Sequence, residues 1–308
     1  MNNDPNFLER FEHGLNPADL NASKIPGTVL GYGEISTIFQ IGNDDRHAYK
    51  RMPLFKTLAA AEEYATNYRH YCDYLGGAGL TLPADDLQLV ALPKRPVVLY
   101  IVQKQFPSSW FAHRLIHVLD ADANKILLTR IAQETIKIRT YNKTQAPALE
   151  IALDAQISNW VFENGDPVGG TLYYIDTSTP QYQLDGVEQL NPELILQSAP
   201  SFLRWIISKL FLKDVMNRYY DQRQIMIDLA ANLYKEQLPQ LIPLAIEIIN
   251  SLLGDDSTEI TAEIVNGYYR EDKFIWALFL TARKIDRWLT TTLFRQRYEF
   301  ILPGRIQR

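Results

Sequence analysis

Between Ile25 and Phe106 the chain consists of short runs rich in Val, Ile, Tyr and Thr, separated by clusters of Gly, Asn, Asp and Pro. After Pro107 that pattern gives way to apolar residues at three- and four-residue spacing. Strands first and helices afterwards point to an α+β protein in which sheet and helices are segregated. The runs predict strands over Thr28 to Gly31, Ser36 to Ile41, His47 to Met52, Leu87 to Leu92 and Val97 to Gln105. One helix interrupts them, Thr57 to Leu75, closed by Gly76 and Gly77, with Leu58, Ala61, Ala65, Tyr68, Cys72 and Leu75 along one stripe.

The remainder is helical with one island of strand. Helices are expected over Trp110 to Val118 and Ala123 to Tyr141. Asn159 to Phe162 and Thr171 to Asp176 flank Asn164 to Gly170, whose Asn-Gly and Gly-Gly pairs are strong turn punctuation and predict a hairpin. From Pro192 to Arg297 the pattern is helical again, with breaks at Leu238-Pro239, at Gly254 to Asp256 and at Gly267. A short helix from Asn6 to His13 opens the chain. Two regions result, residues 1–106 and 107–308.

At 308 residues, 46% hydrophobic and 22% charged, the chain has ordinary globular composition and room for about two domains. Its net charge of 31 − 36 = −5 offers no general source of phosphate attraction, so nucleic acid is not an expected partner. The single cysteine, Cys72, excludes an internal disulfide and a cysteine zinc cluster, and packing is its expected role. The stretch Met1 to Asn21 lacks the pattern of a secretory signal, and the apolar stretches Leu238 to Leu253 and Phe274 to Ala282 are too short or too interrupted to span a bilayer. The expectation is a soluble cytoplasmic chain with no membrane partner.

Four local signals could carry chemistry. Gly31 and Gly33, with Ser36, lie between two predicted strands, where they would let backbone N–H groups approach phosphates; a plain hairpin uses the same residues. Lys50 sits in an apolar strand 17 residues after Gly33, and the following helix offers Glu62 on its inward stripe as an ion-pair partner. A strand lysine that snorkels to solvent is the alternative. Asp154 and Asn159 have the spacing D-x-x-x-x-N directly before the hairpin, a match that chance also supplies. Asp176 ends an apolar strand, where it could equally open a turn.

Taken in order, glycine hairpin, strand lysine, helix glutamate, D-x-x-x-x-N, hairpin and strand-end aspartate, the chain resembles the protein-kinase-like fold. The resemblance is to its small-molecule branch of aminoglycoside and choline phosphotransferases, over about Ile25 to Pro180. It implies a two-lobed protein, a small β-rich lobe to about Phe106 and a larger helical lobe after it, with ATP and Mg²⁺ bound between them. Gly31, Gly33 and Ser36 would cover the phosphates, Lys50 would grip them with Glu62 fixing its ammonium, and Asn159 and Asp176 would hold Mg²⁺. Asp154 would accept the proton of a small-molecule hydroxyl, and Gln156, where the family often has a basic residue, could only hydrogen-bond nearby. The backbone near Gln103 to Gln105 would meet the adenine.

The chain departs from the family in three places. Ala152 stands where a histidine usually precedes the catalytic aspartate, the strand-end motif reads Asp-Thr-Ser rather than Asp-Phe-Gly, and the interval from Asn159 to Asp176 is long. These departures leave open a nucleotide-binding or structural regulator without catalysis, and Asp154 with Asp176 also leaves open a hydrolase with paired carboxylates. Pro180, soon after Asp176, suggests a small acceptor rather than a protein. Tyr219, Tyr220, Tyr268 and Tyr269 could line an acceptor pocket or simply pack. The basic run Arg283 to Arg287, with Arg305 and Arg308, is expected to form solvated faces.

Overall fold

The computed structural model describes residues 6–33, 35–191, 194, 217–254 and 258–302. Helix α1 (Phe7–Gly14) leads into strands β1 (Gly27–Tyr32), β2 (Thr37–Ile41) and β3 (His47–Phe55), helix α2 (Leu58–Gly77), and strands β4 (Asp85–Val90) and β5 (Val97–Lys104). The five strands form one antiparallel sheet in the order β1-β2-β3-β5-β4. Helices α3 (Ala112–Leu115) and α4 (Ala121–Gln145) follow, then the short strands β6 (Leu149–Ile151), β7 (Trp160–Phe162), β8 (Leu172–Tyr174), β9 (Tyr182–Leu184) and β10 (Val187–Glu188). Helices α5 (Gln222–Lys235), α6 (Ile242–Leu253) and α7 (Ala262–Trp288) complete the described elements. The protein is therefore α+β and two-lobed, an antiparallel sheet carrying one long helix, followed by a helical body.

Alternation along β3 decides what the sheet presents to each side. Successive strand residues point to opposite faces. Tyr49 joins the cluster beneath α1 with Phe11, Phe39 and Tyr100, while Met52 joins the cluster beneath α2 with Tyr64, Tyr68 and Ile101. Lys50 and Arg51 follow the same alternation. Arg51 is buried on the α1 side, where it pairs with Glu12 of α1 and with Glu299, which binds its guanidinium at 3.0 Å. Arg95 joins both carboxylates, at 2.6 Å to Glu12 and 2.9 Å to Glu299. Both ends of the described chain are thus tied to the back of the strand whose front carries Lys50.

The third core lies in the helical body and runs from Tyr71 and Leu75 of α2 through α4 to α5 and α6. It also seats the β7–β8 hairpin, in which Trp160 pairs with Tyr174 across the ladder with ring centroids 5.1 Å apart. Such a contact adds about 1 kcal/mol beyond the area it buries. The hairpin turn depends on Gly170, where a Cβ would come within 2.3 Å of the Glu163 carbonyl oxygen. Any other residue there would push the two strands apart.

Several sequence expectations are corrected. The predicted helix Trp110 to Val118 is a single turn of 3₁₀ helix, Ser108–Trp110, followed by the four residues of α3. Gly267 does not break α7, which runs through it, because the helix is held on either side by Val265 and Tyr268 packed on the core. Strands β6, β9 and β10 were not predicted; at two or three residues each they are too short to show a period. Arg283, expected on a solvated face, is buried over the rings of Phe279 and Phe300, whereas Cys72, half-buried, packs against the core beneath α2 as expected. Residues 192–193, 195–216, 255–257 and 303–308, including Arg305 and Arg308, lie outside the described residues. No helix among the described residues is long and apolar enough to cross a membrane.

Candidate active site

The β7–β8 hairpin brings two of the singled-out residues together. Its ladder continues one step beyond the strands, with Ile175 N–H donating to the Asn159 carbonyl at 3.0 Å, so Asn159 and Asp176 flank the same end of the hairpin. Lys50 reaches this point from the sheet, donating from Nζ to the Ile175 carbonyl at 2.5 Å and standing 3.7 Å from Asp176 Oδ1. Asn159 Nδ2 donates to the Asp154 carbonyl at 3.1 Å, and Gln156 N–H donates to Asp154 Oδ1 at 3.0 Å. Lys50, Asp154, Asn159 and Asp176 thus converge where the sheet meets the helical body.

Glu62 does not join them. It is exposed on α2, and the carboxylate that meets Lys50 is Asp176. The inward stripe of α2 is Ala61, Tyr64, Tyr68, Tyr71 and Leu75, rotated from the expected one so that Leu58 and Glu62 face solvent. Three tyrosine hydroxyls on this stripe brace the site. Tyr64 donates to the Ser178 carbonyl at 2.6 Å, Tyr68 hydrogen-bonds Thr177 Oγ1 at 3.1 Å and Asp85 at 2.9 Å, and Tyr71 donates to the Ala152 carbonyl at 2.8 Å. Gln103 Nε2 donates to Thr177 Oγ1 at 3.2 Å from β5, and Ser178 Oγ donates to Asp176 Oδ1 at 2.8 Å.

The two short departures in sequence therefore have structural counterparts. Where Asp-Phe-Gly would pack a ring, Asp-Thr-Ser is held by hydrogen bonds from Tyr64, Tyr68 and Gln103. Beside Ala152 the loop is pinned by Tyr71 and by Asn142, whose amide both donates to the Ile151 carbonyl at 2.8 Å and accepts from its N–H at 3.0 Å. The tyrosines at 64, 68 and 71 were the available signal, since three- and four-residue spacing of aromatic hydroxyls on one helix face implies a buried row of donors.

The glycine turn is tight. Gly33 N–H donates to the Ser36 carbonyl at 3.0 Å, and a Cβ on Gly33 would meet Ser36 Oγ at 2.7 Å. Gly31 sits where the β1–β2 register shifts. At the opposite end of the sheet, the N–H groups of Lys104 and Gln105 are already bonded, to the carbonyls of Ala84 at 3.1 Å and Arg46 at 2.8 Å. The expected backbone contact with adenine finds no open donor at these two residues, because β5 is paired on both sides.

Electrostatics separate the carboxylates. Asp154 is pushed well above the usual carboxylate range by burial and then by the carboxylates of Asp228 and Asp176, while the Gln156 N–H and Lys235 oppose the shift. Asp228, buried on α5, is raised to about 6 by burial, which Lys235 only partly offsets. Lys235 lies two turns further along the same face of α5, 3.0 Å from Asp272 of α7 and 3.9 Å from Asp228, and these carboxylates outweigh its own burial and raise it. Burial pulls Lys50 below the ordinary lysine value despite Asp176. Asp228, Lys235 and Asp272 had not been singled out; the seven-residue spacing of Asp228 and Lys235, two helical turns, was the trace they left.

Of the tyrosines considered for an acceptor pocket, Tyr220 donates to Glu188 at 2.8 Å, Tyr269 stacks on Tyr234, and Tyr268 lies under Arg218 beside Asp228. His113 is lowered to about 4 by burial, and among the described residues no group of three or more His, Cys, Asp or Glu could hold a metal. A cation here would be held by few protein oxygens. Asn159 fits that role, since its Nδ2 is engaged with Asp154 and its Oδ1 remains as a donor, and Asp176 adds a carboxylate that is one-third exposed. Mg²⁺ favours such sparse oxygen sets, completed by phosphate and water.

The fold and site define a two-lobed α+β protein with a lysine and two aspartates at the junction of the lobes. The chain belongs to the family described as "Family of unknown function (DUF6206)", whose model matches residues 19–287. Among solved structures, one described as "WaaP in complex with acyl carrier protein" is similar at 14% identity and a TM-score of 0.34, covering 73% of this chain and 90% of that one. A score that low carries no weight beyond the topology described above. No curated protein matches the sequence.

Proposed function

We propose that the chain is an ATP- and Mg²⁺-dependent phosphotransferase acting on a hydroxyl of a small molecule. The observation that carries this is the convergence of Lys50, Asp154, Asn159 and Asp176 at one end of the β7–β8 hairpin. Phosphoryl transfer asks for positioning and charge neutralisation rather than covalent chemistry, and these four residue types supply both. Lys50 would move from the Ile175 carbonyl onto the phosphates of ATP, and Gly31, Gly33 and Ser36 would cover them. Asn159 and Asp176 would hold Mg²⁺, which when bound offsets the phosphate charge. At the strand end the side-chain carbonyl of Gln105, buried with no hydrogen-bond partner, supplies an acceptor for an adenine amino group.

Asp154 would take the hydroxyl proton. Burial beside Asp228 and Asp176 raises its carboxyl above the ordinary aspartate range, which makes it a stronger base than an exposed aspartate. The residues 1–106 would then act as the nucleotide lobe and 107–308 as the acceptor lobe. A regulator without catalysis is the second reading, favoured by the occupied N–H groups of Lys104 and Gln105.

Thermal unfolding with ATP, Mg²⁺ and both tests the first reading. A ligand of the folded state raises its stability by RT ln(1 + [L]/Kd), so a shift that requires both and disappears in Asp176→Ala is expected. No shift, or the same shift in the variant, sinks the proposal. Phosphate transfer to a hydroxyl acceptor, lost in Asp154→Asn, separates the enzyme from the regulator.

A further inference from the structure

The outward side of α7 carries an apolar stripe that the active site does not use. At about 100° per residue, Phe274, Leu278, Thr281, Ile285 and Trp288 fall within roughly 80° of one another. Phe274 is 70% exposed, Trp288 58%, Leu278 49% and Ile285 45%, and Leu293 and Phe294 just beyond the helix are 61% and 60% exposed. The inward side of the same helix holds Val265, Ala282 and Arg283, all buried. On the helix the stripe runs from Phe274 to Trp288, about 21 Å, and as the outer face of a single helix it is convex rather than a groove.

Its charge is opposite in sign to that of the chain. Arg270, Lys273, Lys284 and Arg287 line one flank and Arg295 lies at the end, all exposed, and none of the five forms an ion pair among the described residues. The acids of the run are drawn away. Glu271 binds Arg218 at 2.6 Å, Asp272 binds Lys235 at 3.0 Å, and Asp286 is half-buried. A chain of net charge −5 has thus concentrated cations without carboxylate partners among the described residues, Lys273 also lying over the Tyr269 ring, beside exposed aromatic and aliphatic side chains.

We infer that this face lies on an anionic lipid surface, α7 parallel to it, with Phe274, Leu278, Ile285 and Trp288 in the headgroup region and the basic flank on the lipid phosphates. A convex stripe of Trp, Phe and Leu beside Lys and Arg is the composition of helices that lie in a membrane interface without crossing it. A second copy fits less well, because an antiparallel pair would press the cationic flank against its own image. Contact of this kind needs no spanning segment, and it is independent of the chemistry at Asp154.

Vesicle flotation of the full chain tests it, with phosphatidylcholine alone and with phosphatidylcholine containing phosphatidylglycerol. Binding is expected to the anionic vesicles, with suppression by salt, and little to the neutral ones. Two sets of exposed substitutions follow, Phe274→Asp with Trp288→Asp, and Lys273→Glu with Lys284→Glu and Arg287→Glu. Each should lower binding at least about tenfold while leaving the circular-dichroism melt in place. No binding to anionic vesicles, equal binding to both compositions, or binding that survives both sets overturns the inference. Self-association or capture of an acidic protein that both sets abolish, without vesicle binding, overturns it as well and assigns the face to that partner.

Discussion

Lys50 Nζ stands 3.7 Å from Asp176 Oδ1 and is almost fully buried, whereas the Asp176 side chain is 35% exposed. The two ends of this ion pair therefore face different solvents. Removing the lysine relieves a buried cation and leaves a carboxylate that water still reaches, which offsets the hydrogen bond lost at the Ile175 carbonyl, so Lys50→Met should change stability by less than about 1 kcal/mol. The same variant should lose the stabilisation conferred by Mg²⁺ and ATP together. Thermal melts of both proteins with and without nucleotide check this, and an undiminished nucleotide shift in Lys50→Met would remove Lys50 from the site.

The tyrosine row on α2 should carry more stability than the glutamate first assigned to this helix. Tyr64→Phe, Tyr68→Phe and Tyr71→Phe each strip a hydroxyl from a buried polar partner in the Asp-Thr-Ser segment or the Asp154 loop, which costs about 1–3 kcal/mol. Glu62→Ala, at an exposed position, should stay within about 0.5 kcal/mol. Urea midpoints at constant slope make the comparison. A Glu62 variant as damaging as the tyrosine variants would restore the ion pair that the structure replaces.

The buried network behind the sheet predicts an acid-labile fold. Burial would raise Glu12, but Arg51, Tyr100 and Arg95 overcome it and hold the carboxyl below its ordinary 4.5; Glu299 is likewise held down by Arg95 and Arg51 against its burial. A lowered carboxyl contributes stability that is complete above 4.5 and disappears as pH falls through the folded value. Glu12→Gln leaves Arg51 buried without its closest partner and should cost about 3–5 kcal/mol at pH 7. The gap between parent and variant should then narrow on acidification, as measured by urea unfolding at a series of pH values. A constant gap would contradict the linkage.

Asp228 titrates in the opposite sense. Its folded value of about 6 lies above the ordinary 3.8, so its contribution is present below 3.8 and lost as pH rises through 6. Asp228→Asn should therefore gain on the parent as pH rises from about 4 to about 7, in paired denaturation at those two values. A difference that does not change between them would show that Lys235 neutralises Asp228 more fully than its burial suggests.

How much of the site was legible follows from the range of each contact. The placement of Asn159 and Asp176 at one end of a hairpin was legible, because the Asn-Gly and Gly-Gly pairs between them are written in the chain. Lys50 stood out as a charge inside an apolar strand, yet its partner was misassigned to Glu62. Of the expected α2 stripe Ala61, Tyr68 and Leu75 do face inward, but Leu58 does not, and Tyr64 and Tyr71 join them because tyrosine, apolar in body and polar at its tip, also serves as a buried donor. Asp228, Lys235 and Asp272 carry no local pattern beyond their helical spacing, and Phe274 to Ala282 drew notice only as a stretch too short or too interrupted to span a bilayer.

By itself the sequence determined what local rules govern: the segregation of strands and helices, the hairpin before Asp176, the glycine turn, and the alternation that sends Lys50 and Arg51 to opposite faces. Each depends on periodicity or on backbone conformation within a few residues. Only the tertiary structure decided which side chains meet across long separations, Lys50 with Ile175 and Asp176, Glu12 with Glu299 through Arg51, and Tyr71 with Ala152. Those meetings depend on how a helix is rotated on its core, and a rotation of half a residue, about 50°, turns Glu62 to solvent and a row of tyrosines inward.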